Sequence, residues 1–121
     1  MRKYKVYFYE DRNGNSPIYD YLLELSRRTD KDSRINLKKI REYVKYLELH
    51  DKAAGEPFIK HIDGEIWELR PVKNRILFAA WDGECFILLH HFTKKTQKTP
   101  QKEIEQAKRN LKEIKEKGGI E

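Results

Sequence analysis

The stretch that decides the fold runs from Phe58 to Phe92 and reads FIKHIDGEIWELRPVKNRILFAAWDGECFILLHHF. It divides into apolar or alternating runs at 58–62, 65–70, 75–81 and 85–92, separated by Asp63-Gly64, Lys73-Asn74 and Asp82-Gly83. Asp-Gly between such runs signals a tight hairpin, because the turn needs positive φ. The reading is a meander of three or four antiparallel strands.

Working outward toward the N-terminus, Ala53-Ala54-Gly55-Glu56-Pro57 interrupts a helical pattern that begins near Asp30 or Asp32 and runs to about His50. Its residues Ile40, Val44 and Leu47 are spaced for burial, while Lys38, Lys39, Arg41 and Lys45 lie elsewhere on the helix girdle. Before it, Ser16-Pro17 is a helix start, since the hydroxyl can cap free amides and proline at the first position loses no needed hydrogen bond. Ile18, Tyr21, Leu22 and Leu25 share one stripe of that helix, so the two helices form an antiparallel pair. Residues 3–9 are aromatic and β-branched, and end in the turn formers of 10–15, which predicts a first strand.

On the C-terminal side, Thr99-Pro100 starts a last helix by the same capping logic. Ile104, Ala107, Leu111 and Ile114 form its apolar stripe, and Gly118-Gly119 ends it. The element order predicts an α+β fold in one domain, 1–121. Two helices from the N-terminal half pack on a twisted, mostly antiparallel sheet with a C-terminal helix, the helices cover one face, and the other face stays at least partly open.

Composition narrows the function classes. The 26 Lys and Arg against 20 Asp and Glu leave a net charge of +6, which favours a polyanionic partner through counterion release. The single cysteine, Cys85, excludes an intramolecular disulfide and reads as a small buried hydrophobe. No apolar run reaches membrane-spanning length, so the expectation is a cytoplasmic protein with no membrane partner. There is no HExxH, no paired-cysteine motif and no Gly-rich phosphate loop, and His50 and His61 are scattered. That points to chemistry without metal or other cofactor.

Strand alternation places Trp67 and Leu69 on one face and Glu68 and Arg70 on the other, away from the side assigned to the helices. Arg75 lies one hairpin away, and two arginines on an open face make a fork for phosphate oxygens. The plainer reading pairs each with Glu65, Glu68 or Glu84 in a solvated cross-strand salt bridge. After the last strand, Thr93-Lys94-Lys95-Thr96-Gln97-Lys98-Thr99-Pro100 carries three lysines and no carboxylate, and ends at a helix start. Ammonium groups, hydroxyls and free amides are the groups that bind phosphate. His90 and His91 point to opposite faces, so at most one can join the arginines; a run apolar on both sides does not say which. RNA suits this inventory, because its own 2′-hydroxyl can attack phosphorus once the protein orients the backbone and stabilises charge.

The blocks Gly64-Glu65-Ile66-Trp67-Glu68-Leu69-Arg70, Arg75-Ile76-Leu77-Phe78 and Leu88 through Pro100, with Glu103-Ile104 and Ala107, resemble the phage-derived HigB-like branch of the RelE/ParE toxin superfamily. The resemblance spans roughly residues 58–115. It implies a RelE-like fold and a toxin of a type II toxin-antitoxin system. In the RelE and HigB branches that toxin is a ribosome-dependent endoribonuclease cutting mRNA. Its implied partners are mRNA on the ribosome and a cognate antitoxin, often with a helix-turn-helix domain. By position, Arg70, Arg75, Lys94 and Lys95 match the basic residues that hold the scissile phosphate, His90 is a further catalytic candidate, and Lys98, His91, Thr96 and Lys73 are candidates for RNA binding. Founding members carry a tyrosine after the basic loop where this chain has Thr99-Pro100, which leaves the general base open between His90 and His91. A ParE-like inhibitor of DNA gyrase and a non-catalytic nucleic-acid-binding domain are the alternatives, since the fold hosts unrelated activities.

Overall fold

A computed structural model describes residues 4–50 and 58–119. The elements run β1 (Lys5–Phe8), α1 (Pro17–Arg27), α2 (Lys31–His50), β2 (Ile59–Asp63), β3 (Ile66–Leu69), β4 (Asn74–Trp81), β5 (Cys85–Thr93) and α3 (Gln101–Glu116). The five strands form one sheet in the order β1-β5-β4-β3-β2. The meander expected from 58–92 is present as four antiparallel strands, β2 to β5. The first strand joins it in parallel, with Lys5 opposite Cys85 and Phe8 opposite Leu88.

Local signals explain most boundaries. Ser16 Oγ accepts from the Tyr19 amide and Pro17 sits in the first turn of α1. Asp30 accepts from the Ser33 amide and hydroxyl at 2.9 and 2.8 Å, the bonding of an N-cap, and α2 begins at the next residue. Asp82 (φ 50°) and Gly83 (φ 80°) make the β4–β5 hairpin turn. Gly119, with φ at 116°, disfavours a side chain, and a Cβ there would also meet the Trp81 ring at a tight 3.2 Å. The break expected at Ala53–Pro57 lies outside the described residues.

One expectation is overturned. The helices do not gather on one face. Helices α1 and α2 bury Ile18, Leu25, Ile40 and Leu47 against Ile59, Leu69, Ile76, Phe78, Phe86 and Leu88. Helix α3 buries Ala107, Leu111 and Ile114 against the opposite face, on Ile66, Leu77, Ala79, Ile87 and Leu89. The physical reason is that β4 and β5 are apolar on both sides, and each exposed aliphatic side chain would forfeit about 2 kcal/mol of burial. A layer on each face removes that cost. Among the described residues, no helix is long and apolar enough to cross a membrane.

Candidate functional site

The two central strands carry an irregularity that orients the site. Phe78 pairs with Leu88, but Leu77 pairs with His90, so Leu89 is an extra residue on β5. Such a bulge turns two consecutive side chains toward one face. Leu89 packs under α3, and His90, opposite Leu77, faces the same side. His91, opposite Ile76, faces α1 and α2. Helix α3 stabilises the irregularity: buried Asn110 donates its amide to the Leu89 carbonyl at 2.8 Å and accepts from Gln106.

Beyond the end of α3 the same sheet face carries Glu68, Arg70, Arg75 and Phe92, and the loop 94–100 folds over it. Glu68, Arg75, Phe92 and residues 94–100 line a concavity of only about 10 Å³. A dent of that size admits a single water-sized group, so a ligand there would rest on the surface. The face is therefore not the open arginine surface expected from the strand pattern.

Its residues are unusually placed. Glu68 is 2% exposed, so it is no solvated rim carboxylate. Its Oε1 lies 3.5 Å from Arg70 Nε and 4.0 Å from Arg75 Nε, and its Oε2 accepts the Thr99 hydroxyl at 2.7 Å. Arg75 is 7% exposed. Its Nη1 donates to the carbonyls of Val72 and Asn74 at 2.9 and 2.8 Å, tying the turn between β3 and β4. That use takes one arm of the expected phosphate fork and leaves Arg75 acting chiefly as a fixed charge beneath the loop. Burial pulls its pKa below the ordinary value, with Glu68 opposing the shift. Arg70, less buried, shares the same carboxylate.

The loop itself is held at several points. The Lys94 amide bonds the Lys73 carbonyl at 2.7 Å, and Thr96 Oγ1 donates to the Lys98 carbonyl at 2.7 Å. Lys95, Thr96 and Lys98 are exposed and Lys94 is half-buried. The Thr99 hydroxyl does not cap α3 as expected: Pro100 occupies the cap position without a side-chain hydrogen bond, and Thr99 turns to Glu68 instead.

The histidines separate. His90 bonds Glu103 Oε1 at 2.7 Å, joining β5 to the first turn of α3. A carboxylate behind an imidazole is the arrangement that orients a general base, yet His90 does not line the concavity of the lysines. His91 stacks on Tyr21 with ring centroids 4.0 Å apart and bonds Asn74 Oδ1, which also accepts from the Tyr21 hydroxyl. Burial, reinforced by His90, pushes its pKa down to about 4. The structure thus places His91 on the far face of the sheet, away from the loop. Lys73 is exposed in the turn below Lys94.

Glu68, expected only as a solvated partner of the arginines, is a buried hub, and Asn110 is a buried anchor with no expectation attached to it. Glu68 alternates with apolar residues as a solvent-facing strand residue would, and its one distinguishing signal is position between two basic segments. Among the described residues, no three side chains of His, Cys, Asp or Glu converge as a metal-binding group. A roomier concavity, about 790 Å³, lies elsewhere, between Phe8 and the helices at Leu22, Ile40 and Val44; it is mostly apolar, with Arg41, Lys45 and Glu48 at its lining, and holds none of the loop lysines.

No curated protein matches the chain. The family model described as Phage derived protein Gp49-like (DUF891) matches residues 21–112, which include every site residue described above. With most of its length matched, the chain belongs to the Phage derived protein Gp49-like family.

Proposed function

We propose that this protein is the toxin of a type II toxin-antitoxin system, a HigB-like member that cuts mRNA on the ribosome and so inhibits translation. The observation that carries the reading is the convergence of Arg75, Lys94, Lys95 and Lys98 on one shallow surface at the end of the sheet. A surface of that shape and charge suits an extended phosphate backbone better than an enclosed small molecule. The family match supports the toxin reading and, with it, an antitoxin partner.

In this reading the RNA supplies its own nucleophile. Lys94 and Lys95 hold the scissile phosphate over the Arg75 charge, the 2′-oxygen attacks phosphorus, and the bond to the 5′-oxygen breaks. The proton leaves the 2′-hydroxyl and one is delivered to the departing 5′-oxygen, giving a 2′,3′-cyclic phosphate and a 5′-hydroxyl; water then opens the cyclic ester to a 3′-phosphate. The cations stabilise the extra negative charge of the transition state, where fixed donors contribute most. His90, oriented by Glu103 and on the same face as Arg75, is the proton-transfer residue of the proposal; Lys98, Thr96 and Lys73 flank the bound strand.

The test uses purified protein on ribosomes programmed with a defined message. Cutting is expected, and Lys95→Ala, an exposed change with no effect on folding, lowers the single-turnover rate by about a hundredfold or more. Intact message with wild-type protein, together with DNA-damage signalling on expression, would point to gyrase inhibition instead.

A further inference from the structure

The Thr99 hydroxyl and the Glu68 carboxylate have no place in the phosphate chemistry above, yet they make a side-chain bond that joins the basic loop to the sheet beneath it. A buried carboxylate with three cationic or hydroxyl partners is costly to desolvate, and persists where the partners are fixed by it. Thr99 stands one residue before the cap position, which Pro100 holds without a side-chain bond, so the threonine hydroxyl is not engaged by the helix amides and turns to the carboxylate instead.

We propose that Glu68 is the positioning residue of the site: through Thr99 it clamps the C-terminal end of the loop 94–99, while its charge holds Arg70 and Arg75 in place beneath. The proposal rests on the RNA-cutting reading for its functional consequence. The loop then has a fixed end on each side, at the Lys94–Lys73 backbone bond and at Thr99. Between these ends Lys95 and Lys98 project outward from a span of a few residues, braced by the Thr96–Lys98 bond. Fixing the lysines before substrate arrives removes the need to reorganise them during the reaction, which raises the rate of the chemical step more than affinity. Glu68 touches no substrate; it acts through Thr99 and the arginines.

The experiment compares Thr99→Val, Thr99→Ser, Glu68→Gln and Glu68→Ala by two readouts. The first is amide hydrogen exchange of residues 94–99 in the free protein. The second is single-turnover cutting on programmed ribosomes beside binding to ribosomes carrying a message with 2′-deoxy substitution at the cut site. Thr99→Val and Glu68→Ala are expected to speed loop exchange at least tenfold and slow cutting ten- to a hundredfold, with binding changed less than threefold. Thr99→Ser and Glu68→Gln, which keep a hydroxyl and an acceptor, are expected to retain loop protection. The double variant Glu68→Ala/Thr99→Val should be no looser than its looser parent, because the Glu68–Thr99 bond is already lost in either single variant. Should Glu68→Ala fail to fold, the threonine pair still decides the matter. Loop exchange in Thr99→Val equal to wild type, or a loosened loop with unchanged cutting, overturns the clamp. Wild-type protein that cuts nothing overturns the activity, while loop exchange continues to report on the clamp.

Discussion

At the residue scale, two groups are held in unfavourable states by their neighbours, Val72 beside the site and His91 on the opposite face of the sheet. Val72 has φ at 57°, a left-handed conformation that a β-branched residue rarely adopts, and its carbonyl is one of the two bound by Arg75 Nη1. Val72 is also 48% exposed, so its side chain contributes little packing in return. Val72→Asn should raise stability by about 1 kcal/mol, seen as a higher urea midpoint with unchanged slope. His91 is held neutral: its folded-state pKa is about 4 against an ordinary 6.5. The unfolded chain therefore takes up the proton first as the pH falls. Stability from this residue is present above pH 6.5 and is lost progressively down to about pH 4, up to about 3 kcal/mol in all. Relative to His91→Gln, the wild type should lose ground between those pH values; parallel unfolding curves for the two proteins at pH 7 and 4.5 would contradict the assignment. The lysines were legible in the sequence because a run without carboxylates stands out locally. Glu68 was not, because its burial depends on the loop and α3 arriving from thirty residues downstream.

At the scale of elements, the caps, turns and stripes of α1, α2 and the β2–β5 meander were legible because each is written in adjacent residues. The parallel place of β1 beside β5 was not, since pairing across eighty residues leaves no local mark. The position of α3 does have a signal: the run from Cys85 through Leu89 is apolar and all of it is buried, and a strand apolar on both faces asks for cover on both. The bulge at Leu89 settles which histidine faces the arginines, and no glycine or proline announces it. Its stability depends on α3. Asn110→Ala leaves the buried Leu89 carbonyl without its side-chain donor, and should cost about 1–3 kcal/mol in urea unfolding. A cost near zero would mean that the sheet can regularise without the asparagine.

At the scale of the whole molecule, a net charge of +6 favours polyanions in general, and the fold decides where one can be gripped for chemistry. Two helices cover one face of the sheet, a third covers most of the other, and the loop 94–100 closes the remaining end over Glu68 and Arg75. The sheet thus acts as a rigid floor, and the cations come from a strand end and a loop fixed to it. That division of labour is what the proposed activity needs, since charge stabilisation is strongest when donors are set in advance. The most direct measurement is the mapping of RNA ends in cells after brief expression, wild type beside Lys94→Ala/Lys95→Ala. New 5′-hydroxyl ends are expected within translated messages for the wild type and not for the double variant, with both proteins accumulating equally. Growth arrest by the wild type with no new ends in translated RNA would contradict the proposed activity.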